Sequence, residues 1–303
     1  MGKGANKNLA AVLALLAGCC FGIGGSISQV IVGQGFQVMH VVIGQIVVSF
    51  IILGIISAIK YRGSVPKIDI LKLLTAGILF LASTILYYFS IDLLSVGTTV
   101  AIMFQYVWIV VVFECIATRK LPGKWTVLSA LIIIVGSLMG SGLLDELIAG
   151  NVSMNPLGLV LALCCAVSYA GFIFLNSRIA VDSPAIPRSF WQQAGALIVL
   201  AIIFPILNVG PCDVVAFIPW AFLMGILMGV IPIVFIVVAS SNLKSGMVSI
   251  LTSSELPMAV LSGFLILGET VTPLVVVGVV LICGSIALAQ LDNRGEPNSL
   301  APQ

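Results

Sequence analysis

Residues 242–288 read NLKSGMVSILTSSELPMAVLSGFLILGETVTPLVVVGVVLICGSIAL, and this stretch decides the fold. It holds two apolar runs, each long enough to cross a hydrocarbon core of about 30 Å as a helix. Inside the first run stand Glu255 and, two residues on, Pro257. A charge at the centre of a membrane helix costs about 2.5 to 3.5 kcal/mol on insertion scales. An intrahelical proline also leaves the carbonyl four residues back, here Ser253, without its helical donor. Function is expected where both departures occur together.

The whole chain shares this character. Of 303 residues, 60% are hydrophobic and 8% charged, against roughly 25% charged in a soluble domain, and the mean hydropathy is +1.25. This is an integral membrane protein, with the lipid bilayer as solvent and no basic patch suited to nucleic acid. Six of the seven cysteines (Cys19, Cys20, Cys115, Cys164, Cys165, Cys283) fall within or beside apolar runs. An odd count without Cys-x-x-Cys spacing argues against a disulfide framework and against zinc. They read as small packing residues, and neither a metal nor a cofactor is expected.

Apolar runs of about 20 residues, separated by short polar breaks, predict ten transmembrane helices: Leu9–Val32, Val38–Ile59, Ile70–Ile91, Ser95–Ala117, Trp125–Leu143, Asn155–Asn176, Ser189–Asn208, Phe217–Ala239, Gly246–Leu267 and Pro273–Leu291. The first run is longer than a signal-peptide core and lacks a cleavage site, so it is kept as a span. Short connections leave no room for a soluble domain between helices.

Charge placement tests the count. With the amino terminus cytoplasmic, all 13 lysines and arginines fall on the cytoplasmic side: Lys3 and Lys7; Lys60, Arg62, Lys67 and Lys72; Arg119, Lys120 and Lys124; Arg178 and Arg188; Lys244; and Arg294. The opposite loops carry Asp92, Asp145, Glu146, Asp213 and Glu269 and no cation. A miscounted helix would invert every assignment downstream, so an all-α bundle with both termini cytoplasmic is expected.

Laid on itself with a shift of 148 or 149, the chain matches Leu13-Ala14-Leu15 with Leu161-Ala162-Leu163, Phe21 with Tyr169, Gly97 with Gly246, and Gly136-Ser137 with Gly284-Ser285. Residues 1–147 thus form one five-helix repeat and residues 148–291 a second, followed by a cytoplasmic tail, 292–303. Because five is odd, the second copy enters the membrane from the other side. Two inverted five-helix repeats are the architecture of a carrier.

The tenfold count, the duplication and the segment ELPMAVLSGFLILGETVTPLVVVGVVLICGSIAL resemble the EamA-type members of the drug/metabolite transporter superfamily. The resembling features are the helix with Glu255 and Pro257, the turn Leu267-Gly268-Glu269-Thr270-Val271-Thr272, and the glycines Gly278 and Gly284 of the last helix. The resemblance spans the chain and is more specific in its second half. It implies small-solute transport, often export of amino acids or related metabolites, and no enzyme activity. Pro257 falls on Trp108 and Glu269 on Lys120, so the second half is expected to bend more than the first.

Glu255 lies midway between Lys244 and Glu269, hence near the bilayer midplane. It is expected to be protonated, to meet a cationic substrate, or to sit in a hydrogen-bond network supplied by Thr252, Ser253 or Ser254. Gln105, Tyr106 and Trp108 occupy the matching depth of the fourth helix and are candidates for the same cavity, the bland alternative being interhelical hydrogen bonding. Tyr169 suits a cavity wall, and Gln45 and Gln193, which align across the repeat, are candidate cavity or gate residues. Tyr87 and Tyr88 lie in the outer half, and Trp191 and Tyr88 fit interfacial anchoring. His40 reads as a solvated or hydrogen-bonded residue, Glu114 as interfacial or salt-bridged, and Glu269 as structural. Pro257, Pro232 and Gly229 are candidate hinges.

The small-xxx-small pairs Gly18/Gly22, Gly136/Gly140 and Gly225/Gly229 read mainly as internal seams and leave a homodimer face open. The leading expectation is a secondary carrier in the plasma membrane (the inner membrane of a bacterium), working by alternating access on a small-molecule substrate, with proton coupling an option. The alternatives are a membrane binding or sensory protein, and an intramembrane enzyme. The chain has no zincin motif, nucleophile elbow, aspartate pair or nucleotide-binding loop to support the last.

Overall fold

The computed structural model describes residues 6–61, 63–150, 155–207 and 209–295. Lys3, Arg62, Asn208, the side chain of Arg294 and the tail beyond residue 295 lie outside the described residues. Among the described residues the chain is helical, without strands. The long helices are α1 (Lys7–Gly33), α2 (Val38–Lys60), α3 (Lys67–Ile91), α4 (Val96–Thr118), α5 (Lys124–Gly140), α6 (Pro156–Asn176), α7 (Ala185–Ile206), α8 (Val214–Asn242), α9 (Ser245–Leu267) and α10 (Pro273–Gly295). Nine of the described helices are long and apolar enough to span a bilayer. The shorter one, α5, has 17 residues, about 25 Å at 1.5 Å per residue. A further short helix, Leu143–Ile148, follows it.

Large apolar side chains such as Ile55, Ile116, Leu131, Leu157 and Ile202 are exposed on the outer faces of the bundle, the surface that acyl chains would cover. The interior is threaded by small residues. A Cβ added at Gly18 would stand 2.3 Å from Ser254 Oγ and 2.4 Å from the Thr252 carbonyl oxygen, and one at Gly22 2.4 Å from the Glu255 carbonyl oxygen. Only glycine lets α1 come this close to the middle of α9. Ser254 Oγ donates to the Leu15 carbonyl at 2.8 Å, and the Ser26 and Ser262 hydroxyls meet at 2.7 Å. The other two glycine pairs are also consumed inside the chain, Gly136 and Gly140 against α10 at Gly278, and Gly225 and Gly229 against α2 at Val48 and Ser49.

Two spans expected to be continuous are interrupted. Regular helix in α4 stops at Met103 and resumes at Tyr106; in α9 it stops at Thr252 and resumes at Glu255. Both interruptions tighten to i→i+3 bonding. In α4, Gln105 N–H donates to the Ile102 carbonyl at 3.0 Å and Val107 N–H to Phe104 at 3.3 Å; in α9, Ser254 N–H donates to Leu251 at 3.3 Å and Leu256 N–H to Ser253 at 3.2 Å. Every residue of the first set maps onto the second by a shift of 149.

These breaks correct one expectation. The Ser253 carbonyl is not left bare by Pro257, because the Leu256 N–H serves it, and Pro257 stands in the first turn of a new helix, where a missing N–H is tolerated. The first half bends as well, since α4 breaks at the equivalent place without a proline. The second half does carry two additional π-helical turns, Gly225–Val230 just before Pro232 in α8 and Gly263–Leu267 in α9. The widened turn in α8 accommodates the N–H that Pro232 lacks.

Arg188 also departs from its expected place. Its sequence position, just before the run that opens at Ser189, puts it in a cytoplasmic segment, yet it stands in the first turn of α7 and is 0% exposed. Its guanidinium donates to Ser241 Oγ and, at 2.6 Å, to the Asn176 carbonyl. Gln192 Nε2 donates to Asn176 Oδ1 at 2.7 Å. Together these side chains close the bundle between α6, α7 and α8.

Candidate functional site

A cavity of about 140 Å³ lies among α1, α2, α3, α4, α6, α8 and α9. At about 30 Å³ per water in the liquid, it admits on the order of five waters, or one small metabolite. Its walls come from the middle of each helix and from the half that leads toward Asp92 and Glu269: Phe21 and Gly25 of α1, Gln45 of α2, Phe80, Ser83, Thr84, Tyr87 and Tyr88 of α3, Met103 of α4, Cys165 and Tyr169 of α6, Met228 of α8, and Glu255 of α9. Toward the opposite ends of α6, α7 and α8, the buried cluster of Arg188, Asn176, Gln192 and Ser241 closes the bundle.

Glu255 is brought to the cavity by the α9 break. Ending one helix at Thr252 and starting another at Glu255 puts the carboxylate at the first position of a half-helix, where the helix dipole favours negative charge. Among the described residues it has no hydrogen-bond or ion-pair partner. The neighbouring hydroxyls that were candidates to satisfy it are turned elsewhere: Ser253 Oγ donates to Ile250, Ser254 Oγ to Leu15, and Thr252 Oγ1 lies 3.0 Å from the Val248 carbonyl.

Tyr106 and Tyr169 stand against each other edge-to-face with ring centroids 4.7 Å apart. Tyr106 is fully buried behind the cavity, its hydroxyl 3.4 Å from the Ser249 carbonyl and 3.3 Å from Thr252 Oγ1. In return Ser249 Oγ lies 3.3 Å from the Val107 carbonyl, so the broken regions of α4 and α9 are cross-linked. Tyr169 lines the cavity at 6% exposure, and its hydroxyl has no hydrogen-bond partner. The aromatic wall continues from Tyr169 through Phe172 and Phe80 to Phe21.

The other candidates separate. Gln45 lines the cavity. Gln193 lies outside the lining, its Nε2 bonded to Ser49 Oγ and facing the Gly229 carbonyl at 3.5 Å, so it ties α7 to α2 beside the π turn that contains Gly229. Gln105 and Trp108 are on the far face of α4: Trp108 Nε1 donates to Gln105 Oε1 at 3.0 Å, Gln105 Nε2 donates to Ala101, and Trp108 is 41% exposed. The structure does not bring them to the cavity. Tyr87 and Tyr88, both placed in the outer half by the sequence, line the cavity.

Several lining residues escaped the sequence reading. Cys165 reads as packing, and Ser83 and Thr84 as ordinary helix residues. The signal that could have found the last two is their adjacency to Tyr87 and Tyr88 on one face of α3. Away from the cavity, His40 is buried and held at both ring nitrogens, Nδ1 accepting from Gln37 N–H at 3.1 Å and Nε2 facing the Gly210 carbonyl at 3.0 Å. Nδ1 therefore carries no proton in this arrangement. Glu114 accepts from Ser245 Oγ at 2.9 Å and Gly246 N–H at 2.6 Å, capping α9 from α4. Among the described residues no cluster of acidic, histidine or cysteine side chains is suited to hold a metal.

No curated protein matches this chain in sequence. A solved crystal structure superposes with a TM-score of 0.71 over 93% of this chain and 98% of its own, at 14% identity, and at that identity it speaks for the fold alone. The model of the EamA-like transporter family matches residues 8–141 and again 156–291. The two matches cover almost all of both halves, and the chain belongs to the EamA-like transporter family.

Proposed function

We propose that this multi-pass membrane protein is a secondary transporter that exports a small solute, an amino acid or a related metabolite, from the cytoplasm by alternating access. Family membership supports transport of a small solute. The observation that carries the mechanism is the pair of helix breaks at Phe104–Gln105 and Ser253–Ser254, which correspond by a shift of 149 and meet beside a cavity with an unpartnered carboxylate. Interrupted helices at mid-depth are how repeat-built carriers expose backbone and charge to a substrate.

In this reading the two five-helix repeats are inverted, both termini are cytoplasmic, and the cavity faces the outside while the Arg188 cluster closes the inside. The π turns of α8 and α9, with Gly229, Pro232 and Pro257, are where the second half flexes. The α5–α10 pair, joined at Gly136, Gly140 and Gly278, lines no part of the cavity and supports the moving core. Glu255 is the residue through which a proton gradient can couple, because a carboxylate alternates between proton and substrate.

Reconstitution of the full chain into liposomes with a panel of amino acids, amines and small aromatic metabolites, with and without a pH gradient, tests the proposal. Saturable flux of at least one class supports it, and a gradient-dependent rate supports coupling. Tight binding without flux of any solute would favour a receptor instead.

A further inference from the structure

The cavity is one-sided in its charge. Of its lining side chains, only Glu255 carries a formal charge; no lysine, arginine or histidine lines it. Arg188 is engaged by Asn176 and Ser241 in the seal, and His40 is engaged by Gln37 and Gly210 at the other end. Among the described residues, therefore, Glu255 meets no cation.

The hydroxyls beside it are also committed. Ser83 Oγ donates to the Phe80 carbonyl at 2.7 Å and Thr84 Oγ1 to the same carbonyl at 3.1 Å. With their protons spent inside α3, both offer only lone pairs to the cavity. The remaining lining is the aromatic wall of Phe21, Phe80 and three tyrosines, with the sulfurs of Met103 and Met228. Ring faces attract cations and thioethers accept weakly. The donors left are the Gln45 amide, the Cys165 thiol and the hydroxyls of Tyr87, Tyr88 and Tyr169, all of them neutral.

A site whose one charge is a carboxylate, set among aromatic faces, matches a solute that brings the positive charge. A neutral or anionic solute would leave the desolvated carboxylate without compensation. A zwitterion would find one committed partner for its ammonium and none of formal charge for its carboxylate. Resting on the transporter reading, we infer that the cavity recognises a small organic ammonium ion, a primary or secondary amine on an apolar or aromatic body, held by Glu255 with its body against Phe80, Tyr87 and Tyr169, and that a carboxylate on the solute is not required.

The test is equilibrium dialysis of radiolabelled phenethylammonium against the full-length protein in detergent, with unlabelled competitors of one shape and three charges. Saturable binding is expected, displaced by excess phenethylammonium at least tenfold more effectively than by 2-phenylethanol or 3-phenylpropanoate. Glu255→Gln should lower the affinity at least tenfold. Should that variant not fold, the competitor series on the unaltered protein decides the matter. No saturable binding, or equal displacement by the neutral or anionic analogue, overturns the inference. Liposome flux keeps the two readings apart. Flux of a neutral or anionic solute without phenethylammonium binding leaves a transporter of another specificity, whereas binding without flux of any solute leaves the ammonium site and removes transport.

Discussion

Glu114 and Gly246, one in each half of the chain, are joined by a 2.6 Å hydrogen bond in which the carboxylate of α4 accepts from the backbone at the start of α9. At the start of α4 the carboxylate of Glu146 accepts from the hydroxyl of the N-cap residue Ser95, whose oxygen in turn accepts from the Thr98 N–H. Each broken helix thus begins under a carboxylate borrowed from elsewhere in the bundle, which complements the helix dipole.

Glu114→Ala is expected to lower stability by about 0.5 to 2 kcal/mol, the range for loss of a cap, with Glu114→Gln milder because an acceptor remains. Thermal unfolding in detergent checks this. A loss of flux at unchanged stability would instead mark Glu114 as part of the solute path.

Glu255→Gln is expected to keep or raise the unfolding midpoint. The carboxylate stands without a protein partner, so its removal breaks no bond and relieves a desolvated charge. A midpoint lowered by more than the equivalent of about 1 kcal/mol would show that Glu255 holds the fold together.

Tyr106→Phe and Tyr169→Phe form a contrasting pair. The Tyr106 hydroxyl bridges to Ser249 and Thr252, and its loss is expected to cost about 0.5 to 1.5 kcal/mol. The Tyr169 hydroxyl is buried without a partner, so its removal should leave stability equal or higher while altering solute affinity. Chemical and thermal unfolding of both variants, beside binding, separates the two roles.

Arg188→Ala is expected to destabilise by several kcal/mol, on the order of 3 to 5, because it empties a fully buried site and strips partners from Ser241 and Asn176. Expression level and unfolding midpoint report it. A stable variant would show that other contacts suffice to close the space between α6, α7 and α8.

Trp108→Phe is expected to leave solute flux within about twofold and to cost at most about 1 kcal/mol, the value of its hydrogen bond to Gln105. A large fall in affinity would require Trp108 to reach the cavity in another state.

The sequence made depth legible and left azimuth hidden. The placement of Glu255, Tyr106 and Tyr169 near mid-depth follows from counting along apolar runs of known rise, and the shift of 149 shows which depths correspond. Which way a side chain points does not follow, because these helices are apolar all round and carry no stripe to orient them. Gln105 and Trp108 share the depth of Tyr106 but face away, whereas Tyr88, Ser83 and Cys165 face in. The α4 break is hidden for a different reason. Its local sequence, Ile102-Met103-Phe104-Gln105-Tyr106, contains no proline or glycine, and the contacts that attend it come from Ser249 and Thr252, far away in the chain. Arg188 looked like a loop charge because it sits at the edge of an apolar run, and its partners Asn176 and Ser241 belong to two other helices.

The two helix breaks share one geometry but not one chemistry. Where α9 presents Glu255, the matching position of α4 holds Tyr106, turned into the core. Twofold scaffolding with onefold chemistry gives the site a polarity. On the ammonium reading proposed above, a bound solute would have a head and a tail, the head at α9 and the tail toward α3, and a molecule charged at both ends would meet a counter-charge at only one of them.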